Sequence, residues 1–298
     1  MPQLTRRTAV LGGLAATLAG CGSNPPPAPE TPKPTPTSPP PGQAELTALE
    51  AKFGGRLGVF GVDTGSGATL GYRADERFLM CSTHKLLAAA AILKASEQQP
   101  GLLDKVIHYD RSQLLPHAPD TTRHVDDGMT VSALCESAIT VSDNTAANLL
   151  VGVLGGPQAV TAFARTLGDR VTRLDRTEPS LNVADGQLDT STPAMMAADL
   201  RAVTGTLAQR ERLIGWLTAS ETGKDLVRAG LPAGWRAGDK SGTGTNGEVN
   251  DVAIAWPPGR APLVIAVYTA PADPKSTAGA ATVAEAARIA VRALVPTA

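Results

Sequence analysis

The chain has 298 residues, of which 42% are hydrophobic and 18% charged, and its formal net charge is −1 at pH 7. A near-neutral chain with both signs interspersed offers no basic surface to a phosphate backbone, so nucleic-acid binding is not predicted. The three cysteines, Cys21, Cys81 and Cys135, are too few for a disulfide framework and lack the spacing of a zinc site. The composition therefore excludes a small disulfide-stapled protein and indicates one large folded unit or two small ones.

The N-terminal residues have the pattern of an export signal. Arg6 and Arg7 precede an apolar run over residues 8–19, which is too short to span the roughly 30 Å of hydrocarbon in a bilayer. The arginine pair resembles a twin-arginine signal, with ordinary secretory export as the alternative. The run ends in the tetrapeptide Leu-Ala-Gly-Cys, which resembles the lipobox of bacterial lipoproteins and implies acylation of Cys21. These features predict a signal peptide over residues 1–20 and a lipid-anchored protein exported to the cell envelope.

A proline-rich segment follows this cysteine. Residues 22–43 contain ten of the 24 prolines of the chain and almost no other apolar side chain. Such a composition cannot bury a core and favours an extended polyproline II spacer, with a ligand for a proline-binding domain as the alternative. We therefore predict a tether over residues 21–43 and a single folded domain over residues 44–298.

The folded domain is predicted to build one sheet from both ends of the sequence. Hydrophobic periodicity predicts terminal helices over 45–53 and 277–294, and strands over 56–63, 68–72, 251–256 and 263–269. The intervening residues are mostly of helical pattern. The fold class is therefore α/β, with a mixed, antiparallel-rich sheet covered by the terminal helices and an inserted all-helical subdomain. The α/β part is expected over about 44–80 and 225–298, and the helical part over about 81–224.

Ser82 and Lys85 form a Ser-x-x-Lys motif that leads into an alanine-rich helical segment. If Ser82 opens this helix, Lys85 lies one turn further along on the same face, within reach of the hydroxyl. A lysine can act as a base toward serine once burial or a like charge disfavours its ammonium form. A helix N-terminus also presents free N–H groups to an oxyanion. The alternative is a capping serine beside a solvated lysine.

Two further short motifs follow in the chain. Ser142 and Asn144 flank an aspartate in a break between two predicted helices, where a plain helix cap is the alternative. The second motif, Lys-Ser-Gly-Thr over residues 240–243, is expected to begin a strand, and its glycine allows a substrate to approach the backbone closely. A loop or a bulged edge strand is the alternative for this second motif.

These motifs, in this order, resemble the signature of class A serine β-lactamases and penicillin-binding proteins. Residues 176–182 resemble the omega loop of class A β-lactamases, and Asp189 matches the acidic residue that closes the base of that loop. The resemblance covers residues 44–298. It implies a β-lactamase/DD-peptidase-like fold, a serine β-lactamase that opens the ring of penicillins, cephalosporins or both, and a cis bond between Glu178 and Pro179. It also implies a monomer that needs no metal or other cofactor.

The resemblance assigns the reaction steps to particular residues. Ser82 matches the nucleophile, and its proton goes either to Lys85 or through water to Glu178. Glu178 matches the base that activates water against the acyl-enzyme, and Asn182 matches the residue that holds this water. The backbone N–H groups of Ser82 and Thr243 match the oxyanion hole.

The remaining matches concern the leaving group and the binding of substrate. Ser142 would pass a proton to the leaving nitrogen, and Asn144 would hold Lys85 and the substrate amide. His117 lies where the family often has an aromatic residue at the edge of the site, and it is expected to stack on substrate or to be an exposed loop residue. The groups that would meet the substrate carboxylate are Lys240, Ser241 and the hydroxyl of Thr243.

The sequence also departs from the family pattern. Many relatives bind the substrate carboxylate with an arginine, but the matching positions hold Val249 and Leu226, and Lys275 is only a weak substitute. Cys81 and Cys135 match single halves of two family disulfides whose other halves are absent, so both thiols are expected to be free. The loop after Asn182 is shorter than usual.

Two alternatives to β-lactam hydrolysis remain at this stage. A cell-wall carboxypeptidase or transpeptidase of related fold is disfavoured by Glu178 and Asn182, because such enzymes lack this deacylating pair. A β-lactam-binding lipoprotein without turnover is compatible with the short loop and the missing arginine.

Overall fold

The computed structural model describes residues 40–295, so the signal peptide, Cys21 and most of the tether lie outside the described residues. Its α-helices are α1 (Gln43–Phe53), α2 (His84–Ser96), α3 (Val131–Thr140), α4 (Asn144–Leu154), α5 (Pro157–Thr166), α6 (Pro193–Thr206), α7 (Arg210–Thr218) and α8 (Gly279–Leu294). Its strands are β1 (Gly55–Asp63), β2 (Thr69–Tyr72), β3 (Phe78–Leu79), β4 (Val106–Ile107), β5 (Met129–Thr130), β6 (Thr190–Ser191), β7 (Arg236–Thr243), β8 (Val249–Trp256) and β9 (Leu263–Pro271).

The main sheet joins the two ends of the chain, as predicted. Its strand order is β2-β1-β9-β8-β7, and all of its neighbouring strands are antiparallel. The central pairing runs the full length of β1, from Gly55 opposite Pro271 to Asp63 opposite Leu263. The predicted α/β class, the antiparallel-rich sheet and the inserted helical part are therefore confirmed.

Strand β9 is buried on both faces of the sheet. Its alternate residues Leu263, Ile265 and Val267 belong to the core under the terminal helix α8. Val264 and Tyr268 point to the opposite face and belong to the core shared with the helical part. Because side chains alternate along a strand, a central strand covered on both faces reads as a continuous apolar run.

Helix α2 forms the centre of the helical part. All ten residues from His84 to Leu93 are buried, so this helix is packed on every side. Helices α3, α4 and α5 all pack against it. Among residues 40–295 no single helix is long and apolar enough to cross a membrane. Helices α4 and α5, which are bent by 72° relative to each other, reach the length and apolar composition of a membrane span only when they are counted together.

Strand β7 differs from its prediction. It begins at Arg236, so residues 240–243 close the strand instead of opening it. Residues 236–239 contain a glycine and an aspartate, which have low β propensity, and this obscured the start of the strand. Tertiary contacts override that propensity, because Arg236 stacks on Trp256 of the partner strand at 3.9 Å and Gly238 lies against Leu217.

The folded residues also begin slightly earlier than the predicted tether boundary. Helix α1 starts at Gln43, whose side-chain amide donates to the backbone oxygen of Gly71. Gly42 precedes it with a φ of 83°, and a Cβ there would lie 3.2 Å from Ile289 and 3.3 Å from Leu70. Glycine is favoured at this position because the left-handed backbone and the close packing both exclude a larger side chain.

A buried carboxyl pair lies between α6 and the segment after α5. Asp199 and Asp169 each have one buried Oδ2 atom without a hydrogen-bond donor among the described residues. Burial, together with the charge and hydrogen bond of Asp169, raises the pKa of Asp199 to about 9. The proton that Asp199 retains at neutral pH therefore supplies the donor between the two carboxyl groups.

Replacing Asp199 by Asn is expected to reduce the loss of stability at alkaline pH. An unfolded Asp loses its proton at a pKa of ~3.9, so between about pH 4 and about pH 9 the folded state holds the extra proton. The free energy of unfolding therefore falls as pH rises through this window. Asp199→Asn keeps an N–H donor toward Asp169 without a proton to lose. Urea unfolding should show that the free energy of unfolding falls between about pH 6 and about pH 9 by ~1–3 kcal/mol less in Asp199→Asn than in the wild type. An equal decline in both proteins would contradict the assignment.

Candidate active site

The predicted site residues meet in one cleft of about 530 Å³ between the helical part and the end of β7. Those that line it are Ser82, His117, Ser142, Asn144, Asn182, Ser241 and Thr243. Lys85, Glu178 and Lys240 are buried and contact residues of its wall. A larger cavity of about 910 Å³ lies between α6 and the sheet and contains none of the predicted site residues.

Ser82 lies in a tight turn, Cys81–Thr83, directly before α2. The hydroxyl of Thr83 donates to Met80 O at 2.7 Å, and Cys81 has a φ of 49°, so the turn is closely constrained. A Cβ on Gly242 of β7 would lie 2.9 Å from Met80 O and 3.1 Å from Ser82 N. Glycine at position 242 therefore lets the end of β7 lie against the turn that carries Ser82.

Glu178 accepts a hydrogen bond from the Ser82 hydroxyl. Ser82 Oγ donates to Glu178 Oε1 at 3.1 Å, and Asn182 donates its side-chain amide to Glu178 Oε2. The side chain of Asn148 on α4 fixes the backbone of Glu178, accepting from its N–H at 2.9 Å and donating to its carbonyl at 2.8 Å. The carboxylate is thus aimed at the serine by both its side-chain and its backbone contacts.

The loop that carries Glu178 has the predicted form. The bond between Glu178 and Pro179 is cis. At the base of the loop, Arg176 Nε pairs with Asp189 Oδ2, and Asp189 Oδ1 accepts from the backbone N–H groups of Asp175 and Arg176 at 2.8 and 2.9 Å. Asp189 is fully buried, so this closure is both charged and desolvated.

Lys85 is fully buried and contacts four groups. Its Nζ donates to Ser142 O at 2.8 Å, Ser142 Oγ at 3.2 Å and Asn144 Oδ1 at 2.7 Å, and it lies 3.1 Å from Glu178 Oε1. Burial lowers the pKa of Lys85, and the neighbouring Glu178 opposes this shift only in part. Burial alone would raise the pKa of Glu178, but the charges of Lys85 and His84 and the hydrogen bonds of Lys85 and Asn182 together outweigh it, and the net pKa is lowered. The pair therefore consists of an anionic carboxylate and a lysine that releases its proton more readily than usual.

Ser142 lies between two lysines. Its Oγ accepts from Lys85 Nζ at 3.2 Å and from Lys240 Nζ at 3.1 Å, and its φ of 59° turns it away from the helix that follows. The next residue, Asp143, caps α4 through the backbone N–H of Ala146 at 2.8 Å. A plain helix cap, the alternative considered for this motif, is thus the role of Asp143. Ser142, which precedes it, lines the cleft.

Lys240 and Ser241 close β7 at the floor of the cleft. Burial, and then the positive charge of Lys85, lower the pKa of Lys240 to about 7. Its Nζ also donates to Ser241 O at 2.9 Å. The Ser241 hydroxyl donates to Thr222 Oγ1 at 2.7 Å, which brings a second hydroxyl into the cleft that the sequence did not indicate.

Asn144 and His117 form one edge of the cleft. Asn144 Nδ2 donates to Pro116 O at 2.8 Å, and its backbone N–H donates to His117 O at 3.0 Å. His117 is exposed, has a φ of 57°, and its Nε2 lies 2.8 Å from Val141 O. The structure therefore places His117 at the predicted edge of the site, and its stacking on substrate stays a prediction.

The two positions where many relatives have a carboxylate-binding arginine hold apolar residues here. These residues, Val249 and Leu226, both line the cleft. Arg228 points elsewhere, since it pairs with the buried carboxylate of Asp239 and donates to Leu217 O at 2.8 Å. Lys275 is not among the described residues that line the cleft.

Both cysteines within the described residues are free and buried, as predicted. A Cβ on Gly244, the position that matches the absent disulfide partner of Cys81, would lie 3.1 Å from Cys81 Sγ. The same Cβ would lie 2.3 Å from the carboxylate of Glu248, so this side chain fills part of the space that a disulfide would need.

This fold and this geometry define a serine enzyme of acyl transfer, with a hydroxyl, a carboxylate and a buried lysine in mutual contact. The chain is similar to named β-lactamases over most of its length. It is 50% identical to β-lactamase FAR-1 of Nocardia farcinica over 299 residues, which covers 97% of this chain and 96% of that protein. It is 47% identical to the carbapenem-hydrolysing β-lactamase KPC of Klebsiella oxytoca, over 83% of this chain and 86% of that protein.

A solved class A β-lactamase from Mycobacterium abscessus has 53% sequence identity and a TM-score of 0.83, covering 85% of this chain and 98% of its own. The model of the beta-lactamase enzyme family matches residues 42–294. The chain belongs to this family and, within it, to class A.

Proposed function

We propose that the protein hydrolyses the β-lactam ring of penicillins, cephalosporins or both through an acyl-enzyme on Ser82, and so confers resistance to these drugs. The observation that carries this proposal is the position of Glu178, whose carboxylate contacts the Ser82 hydroxyl at 3.1 Å and is held by Asn182. A base on the nucleophile explains acylation, and the same base next to the ester supports its hydrolysis.

In acylation, Ser82 Oγ attacks the lactam carbonyl and its proton leaves to a base. The hydrogen bond to Glu178 Oε1 favours the carboxylate as this base, with Lys85 holding the charge that remains. The negative oxygen of the tetrahedral intermediate is received by the backbone N–H groups of Ser82 and Thr243. As the carbon–nitrogen bond breaks, Ser142 donates its proton to the ring nitrogen and regains one from Lys85, which contacts its Oγ. Glu178 then passes the Ser82 proton to Lys85 across their 3.1 Å contact, which restores the carboxylate and the ammonium before deacylation. Lys240 also contacts the Ser142 Oγ and holds it in place.

In deacylation, a water molecule between Glu178 and Asn182 attacks the ester. Glu178 takes a proton from the water, the new carbon–oxygen bond forms, and the Ser82–acyl bond breaks with return of the proton to Ser82. The low pKa of Glu178 keeps this carboxylate in its basic, anionic form at neutral pH. Ester hydrolysis therefore regenerates the enzyme and releases the opened ring as an acid.

The substrate carboxylate is received by Lys240, Ser241 and Thr243. The substrate amide is received by Asn144, and His117 lies at the edge of the site.

The pH profile of the wild-type enzyme tests whether Lys240 binds the substrate carboxylate as a cation. Because its pKa is about 7, kcat/KM for an anionic β-lactam should fall as pH rises through about 7 and the ammonium charge is lost. In Lys240→Arg the cation persists to high pH, so the alkaline limb should move upward. A wild-type profile that stays flat between about pH 6 and about pH 8 would contradict this assignment.

Hydrolysis of nitrocefin by the purified protein tests the proposed function directly. Sustained turnover supports it. One stoichiometric burst that leaves a stable adduct would instead identify a β-lactam-binding protein without turnover. Release of D-alanine from a peptidoglycan peptide, without nitrocefin turnover, would identify a carboxypeptidase.

We further propose that the protein is exported by the signal of residues 1–20, acylated at Cys21 and held as a monomer at the outer face of the cytoplasmic membrane. The sequence around Cys21 and the proline-rich tether support this location. One acyl chain binds a membrane only marginally, so stable anchoring requires more than one chain. In detergent phase partition, the wild-type protein should enter the detergent phase and Cys21→Ala should stay in the aqueous phase. Equal partition of both would contradict the anchor.

A further inference from the structure

The cleft has one free charge on its lining. Of the described residues that line it, Asp225 is the only aspartate, glutamate, lysine or arginine. The other charged groups of the site, Lys85, Glu178 and Lys240, are buried behind the lining. Asp225 is therefore the exposed charge that an entering substrate meets on the described lining of the cleft.

Within the described residues no basic side chain forms an ion pair with this carboxylate. Asp225 is exposed and has no cation within 4 Å among residues 40–295. Arg228, three residues later, pairs with Asp239 instead. Leu226, directly after Asp225, is buried, so the backbone that carries the carboxylate is anchored in the core.

Asp225 lines the same cleft as Ser241, the residue expected to receive the substrate carboxylate. It follows Thr222 by three residues, and Thr222 accepts the hydroxyl of Ser241 at 2.7 Å. The lining also includes the apolar side chains of Val249 and Ala280. A cephalosporin carries a variable ring substituent on the carbon bonded to the carboxylate-bearing carbon. With the carboxylate at Ser241, this substituent would be directed toward Thr222 and Asp225, and the acylamino group away from them.

We propose that Asp225 is a specificity-determining residue that favours cephalosporins with a cationic aromatic substituent next to the carboxylate. The apolar wall accommodates the flat ring, and Asp225 attracts its positive charge. The same carboxylate repels the substrate's own carboxylate when no cation accompanies it. This proposal rests on the proposed function, since it assumes that the carboxylate binds at Lys240 and Ser241.

The test compares cephaloridine with cephalothin, which share one acylamino side chain and differ at this substituent, a pyridinium in the first and a neutral acetoxy group in the second. For each enzyme the measured quantity is the ratio of kcat/KM for cephaloridine to kcat/KM for cephalothin. Asp225→Asn should lower this ratio about tenfold, and Asp225→Lys should lower it further. Glu221→Gln, which removes an exposed acid of the same segment outside the cleft lining, is the matched control and should leave the ratio at its wild-type value.

Salt gives a second readout that a merely structural role would not move. Screening should raise the wild-type KM for cephaloridine between about 0.05 and about 0.5 M salt, and this dependence should be weaker in Asp225→Asn, which keeps only the attraction of Lys240 for the carboxylate. An unchanged ratio in both Asp225 variants would overturn the proposal while leaving the proposed function intact. Failure of the wild-type protein to hydrolyse either compound would instead overturn the proposed function.

Discussion

Ser82→Ala is expected to reduce kcat for nitrocefin by about 10⁵-fold or more, since no other group can form the ester that divides the reaction into two steps. Its Oγ is the atom in contact with Glu178 at 3.1 Å. Folding should be preserved, because Lys85 and Glu178 still pair when the hydroxyl is removed. Thermal unfolding of the variant should therefore occur at or above the wild-type temperature.

The control for this variant is Ser112→Ala, which removes an exposed serine from a surface turn. It should keep wild-type kcat. Mass spectrometry adds an independent criterion, since wild-type protein quenched during turnover should carry an acyl group and Ser82→Ala should carry none. Acylation of Ser82→Ala, or turnover within tenfold of the wild type, would assign the nucleophile to another residue.

Glu178→Gln has the second largest expected effect, and it should separate the two half-reactions. An amide cannot accept the proton of the attacking water, so deacylation should slow by about 10³-fold or more. Acylation retains Lys85 as a base, whose pKa should fall further once the neighbouring carboxylate charge is gone. Nitrocefin should therefore give a burst of one equivalent followed by an almost flat phase, with the adduct visible by mass spectrometry.

Asp185→Asn is the matched control, because it removes an exposed carboxylate from the same loop. It should retain steady-state turnover. Unchanged turnover in Glu178→Gln would refute the part given to Glu178, because it would place the deacylating base elsewhere. A variant that fails even to acylate would show that Lys85 cannot replace Glu178 as the base of the first step.

The sequence allowed prediction of those parts of the molecule that depend on local pattern. The alternation in β1, the β-rich run of β9 and the motifs at Ser82 and Ser142 are short-range signals, and the structure places their elements within a few residues of the predicted bounds. The start of β7 was missed because Gly238 and Asp239 have a turn-like composition, and only the contacts with β8 and α7 make them strand.

The polar residues that complete the site were harder to find. Thr222 and Asp225 lie in a segment without periodicity, and their proximity to Ser241 is a product of chain folding alone. Asn148 could have been detected, because it follows Asn144 by four residues on α4 and therefore shares its face. Its clamp on the backbone of Glu178 nevertheless depends on a loop 30 residues further along the chain.

The burial of α2 from His84 to Leu93 ties the lifetime of the active site to that of the whole protein. Its residues from His84 to Leu93 are enclosed on all sides, so their amides can exchange with solvent only when most of the fold opens. Hydrogen exchange in this helix should consequently report the global unfolding free energy. Heat inactivation should then coincide with global melting, without an earlier stage in which a folded protein has lost its nucleophile.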